Sequence, residues 1–220
     1  MTMNSASERA ARCHWGLYAI LDRAISGLSH VDAATQLIKG GAKVLQLRDK
    51  KAPFEELMEI GAELRKLTRD ANVTLIVNDN PYLAREIDAD GVHIGQNDFP
   101  PDIVREVVGP NRLVGLSTHS KQQILAATTF AVDYIGIGPI YLTSTKASTN
   151  VPVSTSLIRW ASHNVALPIV AIGGITAETI PDVVAAGAHN VAMIGGLLSA
   201  EDIAKKTSEL RQLVQEYKAE

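Results

Sequence analysis

Eight short apolar runs, each bounded by Gly, Pro, Asn or Asp and separated from the next by a stretch with helical spacing, restrict this 220-residue chain to few folds. The runs cover 16–21, 44–47, 74–77, 91–94, 113–116, 134–137, 169–172 and 190–194. Several are apolar at successive positions, which suits strands covered on both faces. The spacing predicts helices over 31–39, 53–71, 81–87, 100–107, 120–129, 154–163, 177–186 and 200–217. Pro53, Pro81 and Pro100 or Pro101 fall at first-turn positions, Thr176 suits an N-cap, and Gly40, Gly109 and Gly187 suit helix ends.

Strand–helix alternation fits either a closed barrel or a doubly wound open sheet. The segments GAKVLQL, ADGVHIG, VDYIGIG and GAHNVAMIG echo one another at the second, fourth, sixth and eighth runs. A barrel interior imposes that two-strand period, because alternate strands fill the same packing layers. The expected architecture is therefore a single (β/α)8 TIM barrel over 15–220. Residues 1–14 are polar and are expected to be disordered or loosely attached.

At 46% hydrophobic and 20% charged the composition is that of an ordinary globular domain, and a net charge of -3 argues against a mainly electrostatic nucleic-acid binder. No long uncharged apolar run predicts a membrane span, and 1–14 holds no apolar core of a signal peptide. The single cysteine, Cys13, has no partner for an internal disulfide. The expectation is a cytoplasmic protein that handles small molecules; no oligomeric state is specified.

Barrel enzymes work at the carboxyl ends of their strands, and polar residues gather there. Gln46, Arg48 and Lys50 alternate on one face after the second run, and such a group suits an anionic, hydrogen-bonding substrate. Asn78 and Asp79 end the third run, and Gly95, Gln96, Asn97 and Asp98 follow the fourth. Two carboxylates from neighbouring strand ends resemble a Mg²⁺ site, although Asp98 could equally cap a helix near Pro100. His93, inside the fourth run, reads as structural. Ser117, Thr118 and His119 end the fifth run, with His119 either a proton carrier or an early helix residue satisfied by backbone. In the sixth loop Thr143, Ser144, Thr145 and Lys146 suit a phosphate clamp that orders over bound substrate. Gly173–Gly174 and Gly195–Gly196 follow the last two runs, where barrels commonly bind phosphate through backbone N–H groups.

In order along the chain, LQLRDK (45–50), VND (77–79), GVHIGQND (91–98), GLSTHS (115–120), DYIGIGPIYLTSTK (133–146) and AIGGI (171–175) resemble the strand-end motifs of the thiamine-phosphate synthase family. The resemblance spans about Gly16 to Gly196. It implies a Mg²⁺-dependent transferase in which 4-amino-5-hydroxymethyl-2-methylpyrimidine diphosphate loses pyrophosphate and a thiazole-phosphate nitrogen captures the methylene. It further implies that Gln46, Arg48, Lys50, Asn78 and Ser117 bind the pyrimidine diphosphate and that Asp79 and Asp98 hold Mg²⁺. Lys146 would take the departing pyrophosphate, and Thr143, Thr145, Gly174, Ile194 and Gly195 the thiazole phosphate. Arg48, Lys50, Ser117 and Lys146 would be the catalytic set. Two positions depart from the family: Leu142 stands where Pro is usual, and Gly195 where Ser is usual. The alternatives are a thiazole tautomerase-like isomerase, with His119 carrying a proton, and a non-catalytic thiamine-phosphate binder.

Overall fold

Each strand is followed by one or two helices among the described residues. The computed structural model describes residues 5–143 and 151–217. Helix α1 (Ala6–Ala11) leads into β1 (Gly16–Leu21), a short α2 (Arg23–Ser26) and α3 (His30–Lys39). Four strand–helix units follow: β2 (Val44–Leu47) with α4 (Phe54–Asp70), β3 (Thr74–Asn78) with α5 (Pro81–Glu86), β4 (Gly91–Ile94) with α6 (Pro101–Val108), and β5 (Leu113–Thr118) with α7 (Lys121–Ala127). The chain is completed by β6 (Tyr134–Ile137), α8 (Ser154–Asn164), β7 (Ile169–Ile172), α9 (Ile180–Ala185), β8 (Asn190–Met193), α10 (Gly195–Leu198) and α11 (Ile203–Glu216). All strand pairs are parallel, and β8 returns to β1, so the eight strands close into the expected barrel.

Local signals explain most helix starts. The side chains of Asp22, Ser29, Asn80, Ser120 and Asp202 each accept a backbone N–H in the first turn that follows. Thr176 does not cap α9 as expected: its own N–H bonds Thr179 Oγ1 at 2.9 Å, and the helix begins after that turn. Strands β3 and β5 run on through Asn78 and Thr118, past the apolar residues that marked them. Polar side chains are tolerated at these ends because the ladder continues beyond them, with Asp79 N–H on His93 O at 2.8 Å and Gly138 N–H on Thr118 O at 3.3 Å.

Alternation along the strands divides the core in two. Leu17, Ala19, Leu45, Leu47, Leu75, Val77, Val114, Ile135 and Val191 face outward and pack beneath the helices. Burying side chains of this kind contributes roughly 1.5–3 kcal/mol each, so this layer carries most of the apolar stabilisation. Tyr18, Ile20, Val44, Ile76, Leu113, Tyr134, Val170 and Ala192 form the smaller inner cluster. Trp15 closes the amino end of the barrel, its ring edge-on to Tyr18 and Tyr134 with centroids 5.5 Å away in each case.

In the described part of the segment before β1, residues 5–15, several side chains make buried contacts. Cys13 is fully buried, and Arg9 Nε pairs with Asp133 Oδ1 at 2.7 Å. Asp133 also receives Arg105 Nη2 at 2.7 Å and the N–H of Val114 at 2.8 Å. Asn190 accepts the N–H groups of Trp15 and Gly16 and donates to the carbonyl of Cys13. Charged residues thus fasten α1 through a buried ion pair that composition does not reveal. No helix among the described residues is long and apolar enough to cross a membrane.

Candidate active site

Inward-facing positions at the carboxyl ends of the strands surround an open cavity of about 170 Å³. Gln46, Arg48, Asn78, Ser117, Thr143, Gly174, Ile194 and Gly195 all line it. Register contributes to this convergence: Asn78 pairs with His93, His93 with Gly115, and Ser117 with Gly136, so all five lie on the inner face. Gly136, Val170, Ile172 and Ala192 give the opposite wall an apolar surface.

Arg48 is held by an ion pair with Asp22, the residue immediately after β1. Asp49 turns the other way, where its Oδ1 accepts the N–H groups of Lys51 and Ala52 and its Oδ2 lies 2.9 Å from Arg23 Nε. Between them these two acids fix the turn that presents Arg48 and Lys50. Neither Asp22 nor Asp49 was singled out from sequence; an acid directly after a strand run was the available signal.

Lys50 reaches Asp79, Nζ to Oδ2 at 3.2 Å. Asp79 has φ 63°, a left-handed conformation that Asp adopts more readily than most residues but that still costs energy. Asp98 does not cap α6, which has no side-chain cap; its Oδ2 instead accepts the N–H of Gly95 at 2.7 Å. The Asp98 carboxyl lies above the usual carboxylate range, first because it is partly buried and also because Asp79 faces it, with the Gly95 N–H pulling the other way. Two facing carboxylates are a donor set that a divalent cation relieves, and Mg²⁺ commonly takes one or two carboxylates with phosphate and water oxygens. Among the described residues no group of three or more His, Cys, Asp or Glu could hold a metal. The donor set therefore fits Mg²⁺ completed by substrate oxygens, not a cage made by protein alone.

His93 has partners, as expected of a histidine inside a strand, and also faces the cavity. It lines the cavity, with Nε2 2.9 Å from Ser117 Oγ and Nδ1 3.2 Å from Tyr134 Oη. Its parity with Asn78 and Ser117 was the sequence signal that could have placed it. His119 also lines the cavity, but its Nδ1 is hydrogen-bonded to the Gly138 carbonyl and its N–H to Gln123 Oε1, so backbone and helix start engage much of it.

The paired glycines after β7 meet a packing demand as well as offering N–H groups. Gly174 has φ 64°, and a Cβ there would lie 2.3 Å from the Leu142 carbonyl oxygen. Gly173 lets the sixth loop run along β7, with Tyr141 N–H on its carbonyl at 2.9 Å. Leu142 itself is 85% exposed. Gly195 begins α10, behind Ile194. Ser144, Thr145 and Lys146, and with them the expectation of a loop that orders over substrate, lie outside the described residues.

Fold and family together define a (β/α)8-barrel enzyme that acts on small molecules. The chain belongs to the thiamine monophosphate synthase family, whose model matches residues 17–197. It is 44% identical to the thiamine-phosphate synthase of Pelotomaculum thermopropionicum over 86% of either chain. It is 41% identical to that of Chloroflexus aurantiacus, over 91% of this chain and 93% of the relative. The solved thiamine phosphate pyrophosphorylase of Pyrococcus furiosus superposes with a TM-score of 0.87 at 34% identity, covering 94% of this chain and 98% of the other.

Proposed function

We infer that this chain is a transferase that condenses 4-amino-5-hydroxymethyl-2-methylpyrimidine diphosphate with a thiazole phosphate, giving thiamine phosphate and pyrophosphate. The observation that carries this reading is the meeting, on one barrel mouth, of hydrogen-bonding groups inside the cavity with a cation–carboxylate group beside them. The family to which the chain belongs supplies the substrate pair.

Gln46, Asn78 and Ser117 would hold the pyrimidine, and Arg48 and Lys50 its diphosphate. Lys146 would receive the departing pyrophosphate. Thr143 and Thr145 would bind the thiazole phosphate through hydroxyls, and Gly174, Ile194 and Gly195 through backbone. Asp79 and Asp98 would hold Mg²⁺, which when bound supplies positive charge to the diphosphate.

The methylene carbon–oxygen bond breaks with its electron pair leaving on pyrophosphate, and the thiazole nitrogen lone pair forms the new bond to that carbon. No side-chain nucleophile or base is required. The protein's task is to stabilise leaving-group charge with preorganised cations and to align the nitrogen with the methylene.

Purified protein given both substrates and Mg²⁺ should release pyrophosphate in equal amount to thiamine phosphate. Isomerisation of the thiazole phosphate without pyrophosphate would establish the tautomerase instead, and binding without turnover a non-catalytic binder.

A further inference from the structure

Below the cavity the inward side chains form one continuous hydrogen-bonded series. Gln46 Nε2 lies 2.9 Å from Tyr18 Oη, Tyr18 Oη lies 3.2 Å from Tyr134 Oη, and Tyr134 Oη lies 3.2 Å from His93 Nδ1. His93 Nε2 then meets Ser117 Oγ at 2.9 Å. Tyr18, Gln46 and Tyr134 are each at most 3% exposed, so water does not compete for these partners. Tyr134 does not line the cavity, whereas the other four do.

Donor and acceptor counting gives the series a direction. The Gln46 amide nitrogen can only donate, so Tyr18 accepts from it and keeps its own hydrogen for Tyr134. Reversing that second bond would leave the buried Tyr18 O–H without an acceptor in the series, a costly arrangement. Tyr134 then donates to His93 Nδ1, which makes Nδ1 the bare nitrogen and places the ring proton on Nε2. Nε2–H donates to Ser117 Oγ, whose hydroxyl hydrogen is left for the cavity. The other end of the series leaves Gln46 Oε1 as an acceptor. Burial pushes both tyrosines well above their ordinary pKa, so neither hydroxyl loses its proton under ordinary conditions. Gly115 accommodates the arrangement: a Cβ there would lie 2.1 Å from Tyr134 Cζ and 2.5 Å from His93 Nδ1.

We propose that Tyr134 and His93 are positioning residues whose relay couples the two ends of the series, so that with Gln46 accepting from the ring Ser117 donates to it, and so selects a ring that donates on one side and accepts on the other. This rests on the reading of the cavity as a pyrimidine site. A 4-aminopyrimidine has the required polarity, its exocyclic amine donating and a ring nitrogen accepting; the 4-oxo analogue reverses it. Without the Tyr134 hydroxyl, Tyr18 can donate to a flipped Gln46 amide and His93 can move its proton to Nδ1. The two ends of the series then become free to invert independently.

The test compares binding of the 4-amino pyrimidine diphosphate and its 4-oxo analogue, with Mg²⁺, to wild-type protein and to Tyr134→Phe. Wild type should prefer the amino compound by at least about tenfold, the scale of one buried polar group left unpaired, and Tyr134→Phe should reduce the preference to within about threefold. Nitrogen-15 NMR of labelled histidine in the wild-type protein without ligand should show His93 with a bare Nδ1 and a protonated Nε2. A proton on Nδ1, or undiminished preference in a folded Tyr134→Phe protein, overturns the relay. If Tyr134→Phe fails to fold, the tautomer decides alone. Thiamine phosphate formation by the same wild-type preparation is scored separately, so failure of the functional reading is seen apart from failure of the relay.

Discussion

The Lys50 ammonium lies 3.2 Å from Oδ2 of Asp79, joining a cation from the end of β2 to a carboxylate from the end of β3. Asp98 faces the same carboxylate from the end of β4. One cation against two acids leaves this group negative, while Arg48 nearby is paired with Asp22. A divalent cation arriving with a diphosphate would offset that imbalance and leave Lys50 able to turn toward phosphate oxygens. On the proposed function, metal and substrate would therefore bind mutually.

Asp22→Asn isolates the orienting role of that acid. Asn caps a helix as well as Asp does, so α2 keeps its first-turn bond to Ala24 N–H while Arg48 loses its charged partner. The KM for the pyrimidine diphosphate should rise about tenfold, in line with one hydrogen bond to a charged group, with a smaller change in kcat. Steady-state kinetics decide it, and an unchanged KM means Arg48 is held by other contacts.

Gly195→Ser introduces a hydroxyl at the start of α10. The residue sits in the first helical position, and its φ is not among the positive ones, so a side chain is conformationally permitted. One added hydrogen bond should lower the KM for the thiazole phosphate about fivefold, the effect of roughly 1 kcal/mol. An unchanged or higher KM for the thiazole alone, in a protein that folds, argues that its phosphate lies elsewhere.

Alkaline stability should depend on the floor of the barrel. Burial, with a smaller contribution from Asp133, pushes the Cys13 thiol from 9.0 up to about 12. The unfolded chain therefore releases this proton first. Its contribution is fully present below about pH 9 and lost as pH rises toward 12. Tyr18 and Tyr134 act in the same direction. Urea unfolding from pH 8 to 10.5 should show falling stability, with a shallower slope for Cys13→Ala; equal slopes would remove Cys13 from the account.

The strands were readable because both strand faces are apolar over most of their length, and the strand-end polar residues followed from the barrel rule. The α1 anchor was not readable, since Arg9 and Asp133 meet across 124 positions of sequence. His93 was read as a strand histidine with partners, and it has them in Tyr134 and Ser117; its place on the cavity wall follows from the closed register. Gly174 was read as a phosphate-site glycine, yet its positive φ and its contact with the Leu142 carbonyl impose glycine independently. Asp22 lay outside every motif, and its part depends on where Arg48 turns.

Turnover by Asp79→Asn and Asp98→Asn across a Mg²⁺ titration tests most directly whether this mouth is the catalytic site. Asn tolerates the left-handed backbone at 79 and can still accept the Gly95 N–H at 98, so charge is removed with little else disturbed. Each substitution should lower kcat by about a hundredfold or more at limiting Mg²⁺, the scale of losing preorganised stabilisation at a developing charge. Asp102→Asn, on the exposed first turn of α6, is the control and should retain wild-type turnover. Near-wild-type rates for Asp79→Asn or Asp98→Asn at limiting Mg²⁺ would contradict the assignment of metal and diphosphate to these residues.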